Sequence, residues 1–367
     1  PGGGGGGMSL TSGQLVAGTS GYFQLADAAD SHRKHQHRQH RDDDDGERRH
    51  GHQDQEGASR LHSNEGARLH SKEGGRHRSK DDGDGTRHGK DDEDGRRQDR
   101  EDGRRHSKAP MKVFYTIPPR DAAAPGDAEV LIVLHGLKRD AEKYHNTWKH
   151  HALRHGFALL VPEFSLESFP SGSHYNLGNV FSSKTHRLRK RSEWSLPLLE
   201  QVFDRYLALS HSSQPSYYLY GHSAGAQFVH RALMLVPAGG FTSRVRRAVC
   251  ANAGYYTFAD WTVKWPFGLK GCESVVSDQD LVRYFGSNMT VMVGGDDTDQ
   301  AHGSLNRDPP AMLQGPHRFA RAKAFHQQAL ERCKDLGIEL NWRFEVVPGV
   351  AHSDNGMSKA AVNSLFG

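Results

Sequence analysis

Cysteine is scarce in this chain. Three occur in 367 residues, Cys250, Cys272 and Cys333, and no metal-ligand spacing relates them. That excludes a disulfide-stapled scaffold and a finger-type zinc site, and leaves reduced thiols, or one bridge and a leftover thiol. No apolar run is long enough to cross a bilayer, and no hydrophobic signal core follows Met8, although the opening PGGGGGG leaves the true start of the chain open. A soluble protein is expected, cytoplasmic by default. An excess of one charge is lacking too: the formal net charge is +4, and residues 1–108 and the remainder are each close to balance. Neither part has the basic excess that nucleic-acid binding needs.

Apolar side chains are sparse, at 35% with a mean hydropathy of -0.76, and the deficit is concentrated in the first third. Residues 1 to about 30 carry only a scatter of Leu15, Val16, Tyr22, Phe23 and Leu25, too little for a core. Residues 32–108 repeat Asp, Glu, Arg, Lys, His and Gly, as in GARLHSKEGGRHRSK. Such a tract buries too little surface to offset its ordering entropy, so residues 1–108 are expected to be a disordered low-complexity region. Its histidines, His32, His35, His37, His40, His50 and His52 among them, offer loose metal capture at most; a solvated polyampholyte is the favoured reading. Neither metal nor organic cofactor is expected.

From residue 109 the composition changes. Met111–Ile117, Val130–Leu134 and Phe157–Val161 read as apolar strands, and helical periodicity fills Asp140–His155 between the last two. After an irregular insertion, Ser165–Arg191, a helix is predicted over Glu193–Leu209. Strands follow at Tyr217–Tyr220, Val245–Ala251, Thr290–Val293 and Asn341–Val347, with helices over Ala226–Val236, His317–Leu336 and Met357–Leu365. Strand and helix alternating in this rhythm predict one α/β domain over residues 109–367, a doubly wound, mostly parallel sheet with helices on both faces.

The chemistry concentrates in Gly221-His222-Ser223-Ala224-Gly225, a G-x-S-x-G between an apolar strand and an amphipathic helix. A strained strand-to-helix turn lifts the Ser223 hydroxyl clear of the sheet, and the two glycines remove β-carbons that would meet neighbouring backbone. A serine hydroxyl needs a base to take its proton, and the base needs an acid to hold its ring. In α/β-hydrolase folds these follow in the order serine, acid, histidine on loops after late strands. Asp297 follows the Thr290–Val293 strand and His352 the Asn341–Val347 strand, with Asp296 and Asp299 as rivals for the acid. The Ala224 N–H, at the helix start, and the Leu137 N–H, after His135-Gly136, are the expected oxyanion donors. His222 is read as a packing residue of the turn.

The segments LHGLKRDAEKYHNTW, YNLGNVF, YGHSAGAQFVHR, ANAGYYTF, WPFGLKG, VGGDDTD, QGPHRFARA and VPGVAHS together resemble the polyhydroxybutyrate depolymerase-like or esterase-like branch of the α/β-hydrolase superfamily, over residues 111–367. The resemblance implies Ser223 as nucleophile, Asp297 as acid and His352 as base. Relatives carry a bulkier pair before the acid, where this chain has Gly295-Asp296. Aromatic residues around the insertion and the loop Tyr255–Gly268 suggest a cleft for an acyl group, with Tyr175, Tyr255 and Trp265 as substrate contacts, and core packing explains many of these aromatics equally well. A basic cluster, Lys184–Arg191, reads as a solvated loop. The expected activity is hydrolysis of small or polymeric carboxylic esters through an acyl enzyme, with no nucleic-acid partner. Amide cleavage by the same triad, or an inactive scaffold that binds a partner, are the alternatives. Removing residues 1–108 is expected to leave the rate unchanged.

Overall fold

The computed structural model describes residues 9–10, 14–25, 110–119, 128–236 and 244–367. Five-residue apolar runs become the centre of the sheet because both of their faces are covered. β4 (Val130–Leu134) and β5 (Ala158–Pro162) are buried at every position, as are β6 (Tyr217–His222) and β8 (Met289–Gly294). With β1 (Ser9–Leu10), β2 (Ser20–Leu25), β3 (Met111–Thr116), β7 (Val245–Ala251) and β9 (Arg343–Val347) they form one nine-stranded sheet in the order β1-β2-β3-β5-β4-β6-β7-β8-β9. All pairings from β5 through β4 to β9 are parallel, whereas β3 runs antiparallel to both β2 and β5.

The alternation of side chains along each strand sorts the core into two layers. Leu131, Val133, Leu159, Val161, Tyr218 and Tyr220 face α1 (Ala141–His155) and α7 (Asp354–Phe366), packing on Trp148, Met357 and Leu365. Val130, Ile132, Leu134, Leu160, Leu219 and Cys250 face the opposite layer. That layer holds α2 (Leu198–Ser210), α3 (Ala224–Leu235), α4 (Asp278–Phe285) and α6 (Arg318–Leu336), with the short α5 (Pro309–Gln314) leading into α6. Cys250, Cys272 and Cys333 are all buried free thiols.

The amino-terminal residues overturn one expectation. Leu15 and Phe23 are buried in the larger core layer, the Leu15 N–H donates to the Leu209 carbonyl, and β2 pairs with β3 along its whole length, from Ser20 opposite Thr116 to Leu25 opposite Met111. Residues 20–25 are therefore a strand of the sheet and Leu15 belongs to its core, so a cut at residue 108 removes both. Residues 26–109, which hold the low-complexity tract read from sequence as disordered, lie outside the described residues. Two helices were not foreseen: α4, whose Leu281, Tyr284 and Phe285 pack inward behind a Ser277–Asp280 capping box, and α5.

Candidate active site

At the carboxyl end of β6 the chain turns into α3 through Ser223, whose φ of 56° and ψ of -112° no helix or strand would give it. A non-glycine residue there costs about 1–3 kcal/mol, held by surrounding structure. The holding contacts are visible. The Ser223 N–H donates to the Ala251 carbonyl at 2.9 Å, and β-carbons at Gly221 or Gly225 would collide with the Gly225 carbonyl or with Leu134, respectively. Helix α3 therefore lies hard against β4, which sits beside β6, with Ser223 at its mouth.

Three loops meet this serine. His352, on the turn after β9, places Nε2 3.1 Å from the Ser223 hydroxyl oxygen and Nδ1 2.8 Å from Asp297 Oδ2. A carboxylate partner makes Nδ1 the protonated nitrogen, so Nε2 is left to accept from the serine O–H. Of the three candidate acids, Asp297 is 2% exposed and paired with the imidazole, whereas Asp296 and Asp299 are exposed and Asp299 caps the Ala301 N–H. The loops are tied to each other by backbone. Gly295 N–H donates to the Val347 carbonyl and Asp296 N–H to that of Val350, while Asn252 accepts from Gly294 N–H and donates to the Ala351 carbonyl.

Behind the carboxylate stands a buried cation. Arg318, 1% exposed, places Nη1 3.4 Å from Asp297 Oδ1 and donates from Nη2 to Ser304 Oγ at 3.0 Å and to His302 Nδ1 at 3.3 Å. His302 in turn stands edge-on to His352, with ring centroids 5.2 Å apart, and His222 lies 4.8 Å from the same ring. Burial holds the His352 pKa below the usual histidine value; the Asp297 hydrogen bond opposes this, and the Arg318 and His302 charges add to it. His222 is buried with Nδ1 2.8 Å from the Tyr144 hydroxyl, and burial, then the neighbouring His352 and Arg318, push its pKa well down, so it is a neutral ring. Sequence reasoning passed over Asn252, His302, Ser304 and Arg318. Asn252 and Arg318 lay in ANAGYYTF and QGPHRFARA, where a polar residue among apolar neighbours was the available signal.

The loop after β4 reaches the same point. A β-carbon on Gly136 would stand 3.7 Å from Ser223 Cβ and 3.0 Å from the Tyr144 hydroxyl, so the Gly136-Leu137 backbone runs alongside the serine. The His135 ring braces this loop: Nε2 accepts from Phe164 N–H, which leaves Nδ1–H to donate to the Gly136 carbonyl, and burial lowers its pKa to about 4. Arg139 donates to the Phe164 and Ser171 carbonyls and lies over the Tyr175 ring.

Of the expected substrate contacts, Tyr175 is corrected. It is fully buried among His135, Phe164 and Phe228, and its hydroxyl donates to the His135 carbonyl at 2.7 Å. It supports the Gly136 loop from below and offers no surface to a substrate. Tyr255 is 8% exposed against Phe267 and Arg231, and Trp265 is half-buried against Phe181 and Arg231. Among the described residues no group of three or more His, Cys, Asp or Glu is arranged to hold a metal ion, and no helix is long and apolar enough to cross a membrane.

No protein-family model and no curated protein sequence matches the chain. Solved structures do. Poly(aspartic acid) hydrolase-1 of Sphingomonas sp. KT-1 is 36% identical over 71% of this chain and 94% of its own, with a TM-score of 0.66. LpqC, a poly(3-hydroxybutyrate) depolymerase of Bordetella parapertussis, is 29% identical over 71% of this chain and 85% of its own, with a TM-score of 0.64. Both of these similar structures are hydrolases matched over 71% of this chain, and the chain belongs to the α/β-hydrolase superfamily.

Proposed function

We propose that this protein is a serine hydrolase of carboxylic esters working through Ser223, His352 and Asp297. The observation that carries the reading is the unbroken relay from hydroxyl to imidazole to carboxylate, 3.1 Å and 2.8 Å, at a serine held in a positive-φ turn. His352 Nε2 takes the hydroxyl proton as Ser223 Oγ attacks the ester carbonyl. The N–H groups of Ala224, first in α3, and Leu137 receive the oxyanion. The imidazolium, steadied by Asp297, returns its proton to the departing alkoxide, and a water activated by the same imidazole then releases the acid from the acyl enzyme.

A second reading keeps the machinery and changes the bond. The Sphingomonas relative is named for poly(aspartic acid), whose repeating units are joined by amides, which favours amide cleavage by the same triad. Treatment with a fluorophosphonate probe is expected to label the wild-type protein and to leave Ser223→Ala unlabelled. A wild-type protein that takes no label refutes the hydrolase reading and favours an inactive scaffold. Comparing p-nitrophenyl esters with peptide anilides separates the two bonds, and faster turnover of the anilides overturns the ester assignment.

A further inference from the structure

One helical turn beyond Ser223, on the same face of α3, stands Gln227, 5% exposed. Side chains of a helix lean towards its amino terminus, so Gln227 reaches back towards the serine. Its amide orientation follows from its neighbours. Arg231 is fully buried, has no carboxylate partner among the described residues, and can only donate. It donates to Thr257 Oγ1 at 2.9 Å, to the Asn176 carbonyl at 2.9 Å and to Gln227 Oε1 at 3.2 Å. Gln227 Oε1 must therefore face Arg231, and Asn176 must offer its Nδ2 to that oxygen, at 2.8 Å. Two consequences follow. Asn176 Oδ1 is left buried without a partner, and the Gln227 Nε2 amide, a two-proton donor, is turned away from the network.

What Nε2 faces is the β7 rim. A β-carbon built on Gly254 would come 2.8 Å from Nε2 and would meet no other atom within 4 Å beyond its chain neighbours. A glycine here leaves open space in front of a pinned donor, on the edge of the sheet that carries Ser223, Asp297 and His352. The Gly254 carbonyl is itself held by Arg321 Nη1 at 2.6 Å. A buried cation, an orphaned acceptor and a side-chain-free position are three departures from ordinary packing, and all fix one amide in one direction.

Building on the hydrolase reading, we propose that Gln227 Nε2 is a specificity donor for a second acceptor, a carbonyl or carboxylate oxygen carried by the acyl part of the substrate. Residues i and i+4 of a helix lie about 5–6 Å apart, so the recognised oxygen belongs a few bonds from the scissile carbon, where the next carbonyl of an oligomeric chain falls. Asn176 and Arg231 are positioning residues that act through Gln227.

The test compares p-nitrophenyl 4-oxopentanoate with p-nitrophenyl pentanoate, equal in length and different in one carbonyl, on the full chain. The expected kcat/KM ratio favours the oxo ester by about tenfold, as one hydrogen bond to a preorganised donor supplies. Gln227→Met is expected to bring the ratio close to one. Gln227→Glu keeps the contacts to Asn176 and Arg231 but turns an acceptor outward, and is expected to invert the ratio. Gly254→Ala, which sets a methyl against Nε2, is expected to lower it, and these two variants decide the matter if the methionine variant does not fold. A wild-type ratio near one, or one that survives all three substitutions, overturns the proposal. Fluorophosphonate labelling distinguishes the two levels: an unlabelled protein refutes the hydrolase reading and this assignment with it, whereas a labelled protein with a flat ratio refutes this assignment alone.

Discussion

Arg318→Met removes the cation behind the carboxylate and leaves everything that touches the serine in place. The pair it breaks is 1% and 2% exposed on its two sides, so solvent screens it little. Losing one partner of such a pair costs about 3–5 kcal/mol. At about 2–4 °C per kcal/mol for a domain of this size, the variant should melt roughly 10 °C below wild type by circular dichroism. The pH dependence follows from the groups around His352, which are Asp297, Arg318, His302 and His222. Burial depresses the imidazole pKa most, the Arg318 and His302 charges depress it further, and the Asp297 hydrogen bond raises it. The working base is the neutral ring, so a depressed pKa extends activity to lower pH. Without Arg318 the protonated ring becomes more favourable, and the acid limb of kcat/KM should move to higher pH. Arg318→Lys keeps the charge and should hold the limb while loosening the bonds to Ser304 and His302. An acid limb that stays put in the methionine variant, measured with a p-nitrophenyl ester, refutes the claim that this cation sets the protonation range of the base.

Two further outcomes test the scaffold. Gly225→Ala puts a methyl into the carbonyls of Leu134 and His135 with no flexible side chain to yield, so fluorophosphonate labelling should be lost with a fall of several degrees in melting temperature; Gly303→Ala, with nothing within 4 Å of the added carbon, is the control that should change neither. Replacing residues 26–110 by a two-residue Asn-Gly turn joins strands already in hairpin register and should keep both ester turnover and melting temperature, whereas deleting residues 1–108 should lower the melting temperature markedly because β2, Leu15 and Phe23 go with them. Equal melting of the two shortened proteins refutes a structural role for β2.

The central strands were legible because each is a short, mostly apolar or aromatic run buried on both faces, a pattern that depends on nothing distant. The elbow was legible for a local reason too, since two glycines around a serine mark a turn that only glycine permits. Strand β2 was not. Tyr22, Phe23 and Leu25 look like scatter until β3 is known to lie beside them, and that partner is far along the chain. Tyr175 shows the opposite error: an aromatic in an irregular insertion reads as a cleft wall, yet its hydroxyl finds the His135 carbonyl and the ring sinks into the core. Arg318 and Arg231 lie in helical stretches where sequence alone gives an arginine to solvent, and burial of either charge depends on carbonyls and a carboxylate that only the fold assembles.

Leu25 and Met111 sit opposite one another across an antiparallel ladder, so the carboxyl end of β2 and the amino end of β3 lie side by side although they are far apart in sequence. A proteolytic nick between these two ends would leave β2 and β3 themselves uncut. The amino-terminal piece would stay clamped by its ladder and by Phe23, eluting with the rest from a sizing column and parting from it only in denaturant.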